Sequence, residues 1–310
     1  MQGIVVDPQY ELEDNNLGNV LKSIRIKEIR ERRKDRLVVI MLSVFGDESH
    51  DEKQQRIFVV AGVAASQEVW DAFTPVWIDR LGGKIFHAAQ CEAGRGEFKG
   101  MSKEERSKLH KDLAKILARA NIIGLGIGID ILAYRDIFPD VPRYMCYYMC
   151  FVPLVLLFGT KASEIDPQQK SKFYFDQNPQ TDSHSLKLYD HMINFPEVRF
   201  SSYFDEISIA DRKQVGIQCA DLFAREVMKD IDNRHLGGIK YNIRKSWKIL
   251  FGTHSFVYLY RNREWLLSLK KKYENLNQPK LGEWLAKRKL ANNIENRIKY
   301  VIHLRERKGE

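Results

Sequence analysis

The sequence predicts a layered α/β protein built on a central sheet, and three observations predict it. Apolar runs of strand length alternate with segments whose apolar residues recur at helical spacing. The strand-like runs are almost wholly apolar, as strands covered on both faces are. Aspartates stand where these runs close: Asp47 and Glu48 after the run from Val38 to Gly46, and Asp176 after Phe173-Tyr174-Phe175. Open α/β sheets carry their sites beyond the carboxyl ends of their strands.

In chain order, residues 1–36 read as a charged helical arm. Val20, Leu21, Ile24, Ile26 and Ile29 form an amphipathic stripe, followed by Arg30, Arg32, Arg33, Lys34 and Arg36. A core domain is expected over 37–260. Val38 to Phe45 is the first strand and Arg56 to Ala65 the second. Gln67 to Leu81 is a helix through Val69, Trp70, Phe73, Trp77 and Leu81. Gly82 to Gly100 reads as a long polar loop, and loops of that length are usually functional. Ser102 with Glu105 forms a capping box for a helix reaching about Ala120. Ile122 to Ile131 is the third strand; Gly124, Gly126 and Gly128 share its Asp130 face and mark close packing. Pro142 to Thr160 is an apolar helix, Lys172 to Asp176 the fourth strand, and Ser183 to Ile193 a helix. Glu197 to Ile209 is the fifth strand and Val215 to about Ile231 a helix. Residues 235–260 read as irregular, and 261–310 as a basic helical C-terminal extension. This order of elements is close to that of a ribonuclease H-like fold with inserted helices: a mixed central sheet flanked by helices.

Composition bounds the function. The chain has 310 residues, 44% hydrophobic and 29% charged, enough for a sizeable core and against wholesale disorder. The apolar stretch from Tyr147 to Gly159 carries Pro153 and is about half a bilayer span, so no membrane association is expected. Cys91, Cys146, Cys150 and Cys219 lack C-x-x-C spacing, which argues against a zinc finger or disulfide framework. With an acidic N-terminus unlike a signal peptide, a cytoplasmic location is expected. The net charge is +9, and residues 261–310 hold 14 Lys/Arg against 6 Asp/Glu. A polyanionic partner suits that excess; a solvated helical tail is the plainer alternative.

The acidic residues carry the chemistry. Carboxylates in apolar surroundings need partners, and converging ones repel by roughly 4 kcal/mol per close pair at an effective dielectric near 20. A divalent cation removes that repulsion. If the first and fourth strands are parallel neighbours, Asp47 and Asp176 come within reach of one ion. Asp221 lies at the edge of a helical stripe of Ile217, Ala220, Ala224 and Met228, with small Cys219, Ala220 and Ala224 allowing close approach to the sheet. An ion pair with Arg225 is the alternative for Asp221. Asp47, Asp176 and Asp221 are therefore the candidate metal ligands. Glu48 has the opposite strand parity and joins them only if the strand kinks after Gly46. Oxygen ligands favour Mg²⁺ or Mn²⁺, and two such ions would activate water and stabilise the leaving 3′-oxygen of a phosphodiester. His87, in the long loop, is a candidate for positioning water or phosphate; packing is its alternative. Asp130 is a further ligand candidate or a strand-end residue. Asp205, Glu206 and Asp211 suit turns and caps, with Asp211 within possible reach of the metals.

The segments Asp47-Glu48-Ser49, Phe86-His87-Ala88, Phe175-Asp176 and Ile217-Gln218-x-Ala220-Asp221, in this order and spacing, resemble the domain of unknown function 3800 family over roughly residues 40 to 232. The Gln-x-Ala-Asp segment is the most specific. The resemblance implies a divergent ribonuclease H-like branch, often linked to prokaryotic genomes and mobile elements. It also implies an acidic site of Asp47, Asp176 and Asp221, with Glu48 accessory. The family commonly has glycine after Asp-Glu-Ser, where this chain has His50.

Arg244, Lys245, Lys248, Arg261 and Arg263 alternate with Tyr241, Trp247, Tyr258 and Tyr260. Such mixtures suit nucleic-acid backbone contact with base stacking; a satellite hydrophobic cluster with solvated cations is the alternative. The tail stripe Leu281, Trp284, Leu285, Leu290, Ile294, Ile298, Val301 and Ile302 suits docking on the core, self-association or a protein partner. The expected function is a metal-dependent nuclease of DNA or RNA. A catalytically silent nucleic-acid-binding or partner-binding protein is the alternative.

Overall fold

The computed structural model describes residues 42–51, 55–141, 143, 145–165, 170–176, 204–237, 243–253 and 255–275. The expected N-terminal arm, the helix at 183–193, the start of the fifth strand and the tail beyond 275 lie outside them. Six strands make one mixed sheet: β1 (Leu42–His50), β2 (Ile57–Ser66), β3 (Ile123–Asp130), β4 (Ser171–Asp176), β5 (Phe204–Ala210) and β6 (Phe256–Arg261). Their order is β5-β4-β1-β2-β3-β6. β1, β2 and β3 form an antiparallel meander; β4 adds parallel to β1, β5 parallel to β4, and β6 parallel to β3.

Helices cover both faces. On one lie α1 (Gln67–Leu81), α2 (Ala88–Ala93), α3 (Lys103–Arg119), α6 (Val215–Gly237) and α7 (Lys245–Phe251). On the other lie α4 (Ile131–Ile137), α5 (Met145–Ile165) and α8 (Arg263–Asn275). This explains the unbroken apolar runs. In β2, Ile57, Val59, Ala61, Val63 and Ala65 enter the first layer, whereas Val60 and Ala64 enter the second. Among the described residues no helix is long and apolar enough to cross a membrane, and all four cysteines are buried and free.

Three expectations change. β1 does not end before Asp47: it pairs with β2 through His50, opposite Phe58. The segment after Gly82 is not an open loop, since α2 and a 3₁₀ turn at Gly96–Phe98 bury Phe86, Cys91 and Phe98. The region at 235–260 is not irregular: α6 runs to Gly237, and α7 and β6 follow. β6 forms because Phe256 and Tyr258 enter one layer while Val257 and Leu259 enter the other. The capping box is present, with the Glu105 amide donating to Ser102 Oγ at 3.1 Å and the Ser102 amide to Glu105 Oε2 at 2.7 Å.

The β3 glycines do pack closely. A Cβ at Gly124 would lie 2.3 Å from the Phe256 ring and 3.1 Å from that of Phe223; one at Gly128 would lie 2.5 Å from Ile231. The gap they leave seats α6 on the sheet. Gly216 brings the first turn of α6 equally close to Phe45, where a Cβ would fall 2.2 Å from the ring. Gly124→Val should therefore cost about 1–3 kcal/mol by overpacking, read as a lower midpoint in urea denaturation. An unchanged midpoint would mean that the helix has room to lift.

Candidate metal centre

Strand register brings the first two carboxylates together. In the parallel β1–β4 ladder Gly46 pairs with Phe175, so Asp47 and Asp176 follow one residue later on adjacent strands. Alternation sets their face. A Cβ at Gly46 would lie 2.3 Å from the Phe175 ring, on the α5 side. One residue earlier, Phe45 and Tyr174 stack at 5.0 Å on the α6 side. Asp47 and Asp176 share that side with them. Asp176 is the last described residue of β4 and pairs with Ala210 of β5.

α6 supplies the third carboxylate. Asp221 is 5% exposed, Asp47 8% and Asp176 7%. Asp221 Oδ2 accepts from His87 Nδ1 and from the Ala88 amide, both at 2.8 Å. An ionised carboxylate only accepts, so the bond assigns the proton to Nδ1 and leaves Nε2 of a neutral imidazole as the acceptor. Gln218, one turn earlier, is 3% exposed and ties the surroundings together. Its Oε1 accepts from Trp77 Nε1 and the Phe86 amide at 3.0 Å, and its Nε2 donates to the Arg212 and Lys213 carbonyls. One amide thus fixes α1, the His87 segment and the turn before α6 to one another.

The electrostatics reflect this convergence. Burial, then the charges of Asp221 and Asp176, push the Asp47 carboxyl well above its ordinary value; the Glu48 amide, donating to Asp47 Oδ1 at 2.7 Å, and Arg212 act against that. Arg212 donates from Nη2 to Asp176, and its charge also acts on Asp47 and Asp221. Among the described residues one guanidinium, that of Arg212, acts on all three carboxylates. A buried, all-oxygen donor set fits a hard divalent cation such as Mg²⁺ or Mn²⁺.

The remaining candidates are placed otherwise. Glu48 stays in extended β1 opposite Val60, so its side chain is on the face away from Asp47, as is His50; no kink follows Gly46. Arg225 does not pair with Asp221: its Nε and Nη2 donate to Glu92 at 3.0 and 2.8 Å. Asp130 caps α4, accepting from the Ala133 amide. Asp211 accepts from the Lys213 amide, Asp205 pairs with Lys172, and Glu206 accepts from Ser208.

The basic residues do not form one surface. Arg244 pairs with Glu92 at 2.5 Å and Glu226 at 2.8 Å. Lys245 and Lys248 are exposed on α7. The Arg261 guanidinium lies 3.8 Å from the Trp265 ring centre, and Arg263 pairs with Asp136. Trp247 and Tyr258 are core residues, each 5% exposed, and offer no stacking face. β6 is three strands from β1, roughly 14 Å across the sheet.

Sequence reasoning missed a buried knot. Glu92, His110 and Glu226 each bring a ligand-type atom within 4.8 Å of the others. His110 Nε2 meets Glu226 Oε1 at 2.8 Å, and Arg225 and Arg244 already supply two positive charges to the carboxylates. The i+4 spacing of Asp221 and Arg225 is visible in the sequence, but the partner of Arg225 comes from α2, remote in the chain.

No family model and no curated protein sequence matches the chain; the resemblance to the domain of unknown function 3800 family rests on the quoted motifs alone. Among solved structures, the crystal structure of Bst-RNase HIII in complex with Mn²⁺ is similar at a TM-score of 0.37 and 11% identity, over 76% of this chain and 72% of that one. A likeness this distant assigns neither function nor residue, and the chain is a mixed α/β protein with a six-stranded sheet between helical layers.

Proposed function

We propose that this chain is a Mg²⁺- or Mn²⁺-dependent nuclease with a ribonuclease H-like core. One observation carries the reading: Asp47, Asp176 and Asp221 are all buried, with the negative charges of Asp221 and Asp176 acting on Asp47 beside the Arg212 guanidinium, an oxygen-rich arrangement that favours a divalent cation. The antiparallel meander, extended at its β1 edge by two parallel strands, supports the fold assignment.

In this reading Asp47, Asp176 and Asp221 hold the metal. Bound there, divalent ions supply the Lewis-acid charge that activates water and steadies the leaving 3′-oxygen. The Asp221 carboxylate orients His87 and leaves its Nε2 able to take a proton from the attacking water. Gln218, accepting from the Phe86 amide, ties the His87 segment to α6. Lys245 and Lys248, exposed on α7 in the same helical layer as α6, favour a polyanion lying along this side of the sheet; Arg261 and Arg263 belong to the opposite layer.

The test is cleavage of end-labelled single-stranded and duplex DNA, RNA and hybrid by the purified full chain. Mg²⁺ or Mn²⁺ should support cleavage and EDTA should stop it. Inertness on every substrate with both ions overturns the proposal; metal-independent binding without cleavage would favour a silent nucleic-acid-binding protein.

A further inference from the structure

Arg212 has no part in the mechanism above, yet its guanidinium is bonded to Asp176 and its charge acts on Asp47 and Asp221. It sits in the turn between β5 and α6, next to Asp211 and Lys213. Its backbone is fixed, because Gln218 Nε2 donates to the Arg212 carbonyl at 3.2 Å and to that of Lys213 at 3.3 Å. Among the described residues its side chain is anchored at a single contact, with Asp176. The guanidinium is bonded to the cluster through Nη2 to one Asp176 oxygen, the buried Nε has no hydrogen-bond partner, and the side chain is 36% exposed. Arginine binds a carboxylate strongly when it presents two parallel N–H groups, and that fork is absent here.

We propose that the Arg212 guanidinium is an exchangeable counter-ion: it occupies Asp176 in the metal-free protein and gives way when a divalent cation enters. This rests on the metal-centre reading and deepens it. The anchored turn and half-exposed arm allow the guanidinium to swing into solvent while the backbone stays. The same positive charge acts on all three aspartates, so its departure is coupled to loading at any of them. The carboxylates are thereby tethered before metal arrives, and metal affinity is set by competition with an internal cation.

The experiment is Mn²⁺ titration of the metal-free full chain by calorimetry and by the paramagnetic signal of free Mn²⁺. Lys213→Gln is the control for net charge, since Lys213 is in the same turn with its side chain 75% exposed. Arg212→Gln should bind Mn²⁺ tighter by about tenfold or more, whereas Lys213→Gln should change affinity by less than about twofold. Arg212→Lys, which keeps the charge, should fall between wild type and Arg212→Gln. Circular dichroism establishes that each variant is folded. Affinity of Arg212→Gln equal to or weaker than that of Lys213→Gln overturns the exchange, as does an Arg212→Lys variant binding as tightly as Arg212→Gln. Binding lost in Asp47→Asn but indifferent to Arg212 removes only this inference. Absence of binding in every variant, or binding indifferent to Asp47→Asn, removes the metal centre as well.

Discussion

Asp47→Asn is expected to reduce metal-dependent cleavage by a factor on the order of 10² to 10³ or more while making the metal-free protein more stable. The opposite signs share one cause. Burial and the charges of Asp221 and Asp176 raise the Asp47 carboxyl well above its ordinary value, so the folded state holds its proton where the unfolded chain releases it. Folding stability is then highest below the unfolded value of about 4. It falls as pH rises through the window between that value and the raised folded one, and the penalty stays in place at neutral pH. Asparagine keeps the size and the acceptor for the Glu48 amide but carries no charge, so it should recover on the order of 1 kcal/mol and flatten that part of the pH profile. Urea denaturation of both proteins from pH 4 to 8, without metal, measures this. A variant less stable than wild type across the range would mean that the carboxylate is structural. In wild type, Mn²⁺ should restore at neutral pH what the repulsion takes away.

Glu226→Ala should act in the other direction, costing about 3–5 kcal/mol. Glu226 is fully buried and accepts from His110 Nε2 and Arg244 Nη2, both at 2.8 Å. Burial alone would raise its carboxyl, but the His110 hydrogen bond and the Arg244 charge prevail and hold it below its ordinary value. Its contribution is present above the unfolded carboxylate range and lost as pH falls through the folded value. Truncation leaves a buried gap in which Arg244 keeps Glu92 as a partner and His110 Nε2 loses the carboxylate it is bonded to. Glu226→Gln, which retains the shape and an acceptor, should cost less. Thermal denaturation ranks the three proteins. The same set separates the two acidic groups: Mn²⁺ stabilisation should survive Glu226→Gln and vanish in Asp47→Asn, and the reverse would move the cation to the buried knot.

The candidate site was legible because each of its carboxylates leaves a local trace. Asp47 and Asp176 interrupt apolar runs, and Asp221 interrupts a stripe of small and apolar residues at helical spacing. Gly124, Gly126 and Gly128 announced the close approach that seats α6. Parity also held Glu48 off the site so long as β1 remained extended, which it does. β6 was hidden among alternating charges and aromatics: Tyr258 reads equally as a stacking platform or as a core residue. The choice depends on a parallel ladder with β3, more than a hundred residues earlier. Arg212 was hidden for a related reason. Between Asp211 and Lys213 it has the sequence signature of an exposed turn, and nothing local says that its guanidinium reaches Asp176.

The amino-acid sequence alone determined where β1 to β4, α1, α3, α5 and α6 lie, which of their faces are apolar, and which acidic residues stand at their edges, because periodicity and capping act within a few residues; α2, α7 and β6 were not legible in it. Only the tertiary structure decided which charges meet: Asp47 with Asp176 through the β1–β4 register, Asp221 with His87 rather than Arg225, and Arg244 with Glu92 and Glu226. Charge pairing is set by distances of a few ångströms between side chains remote in the chain, and burial decides whether such a pair stays dry. Neither is a property of any local stretch of residues.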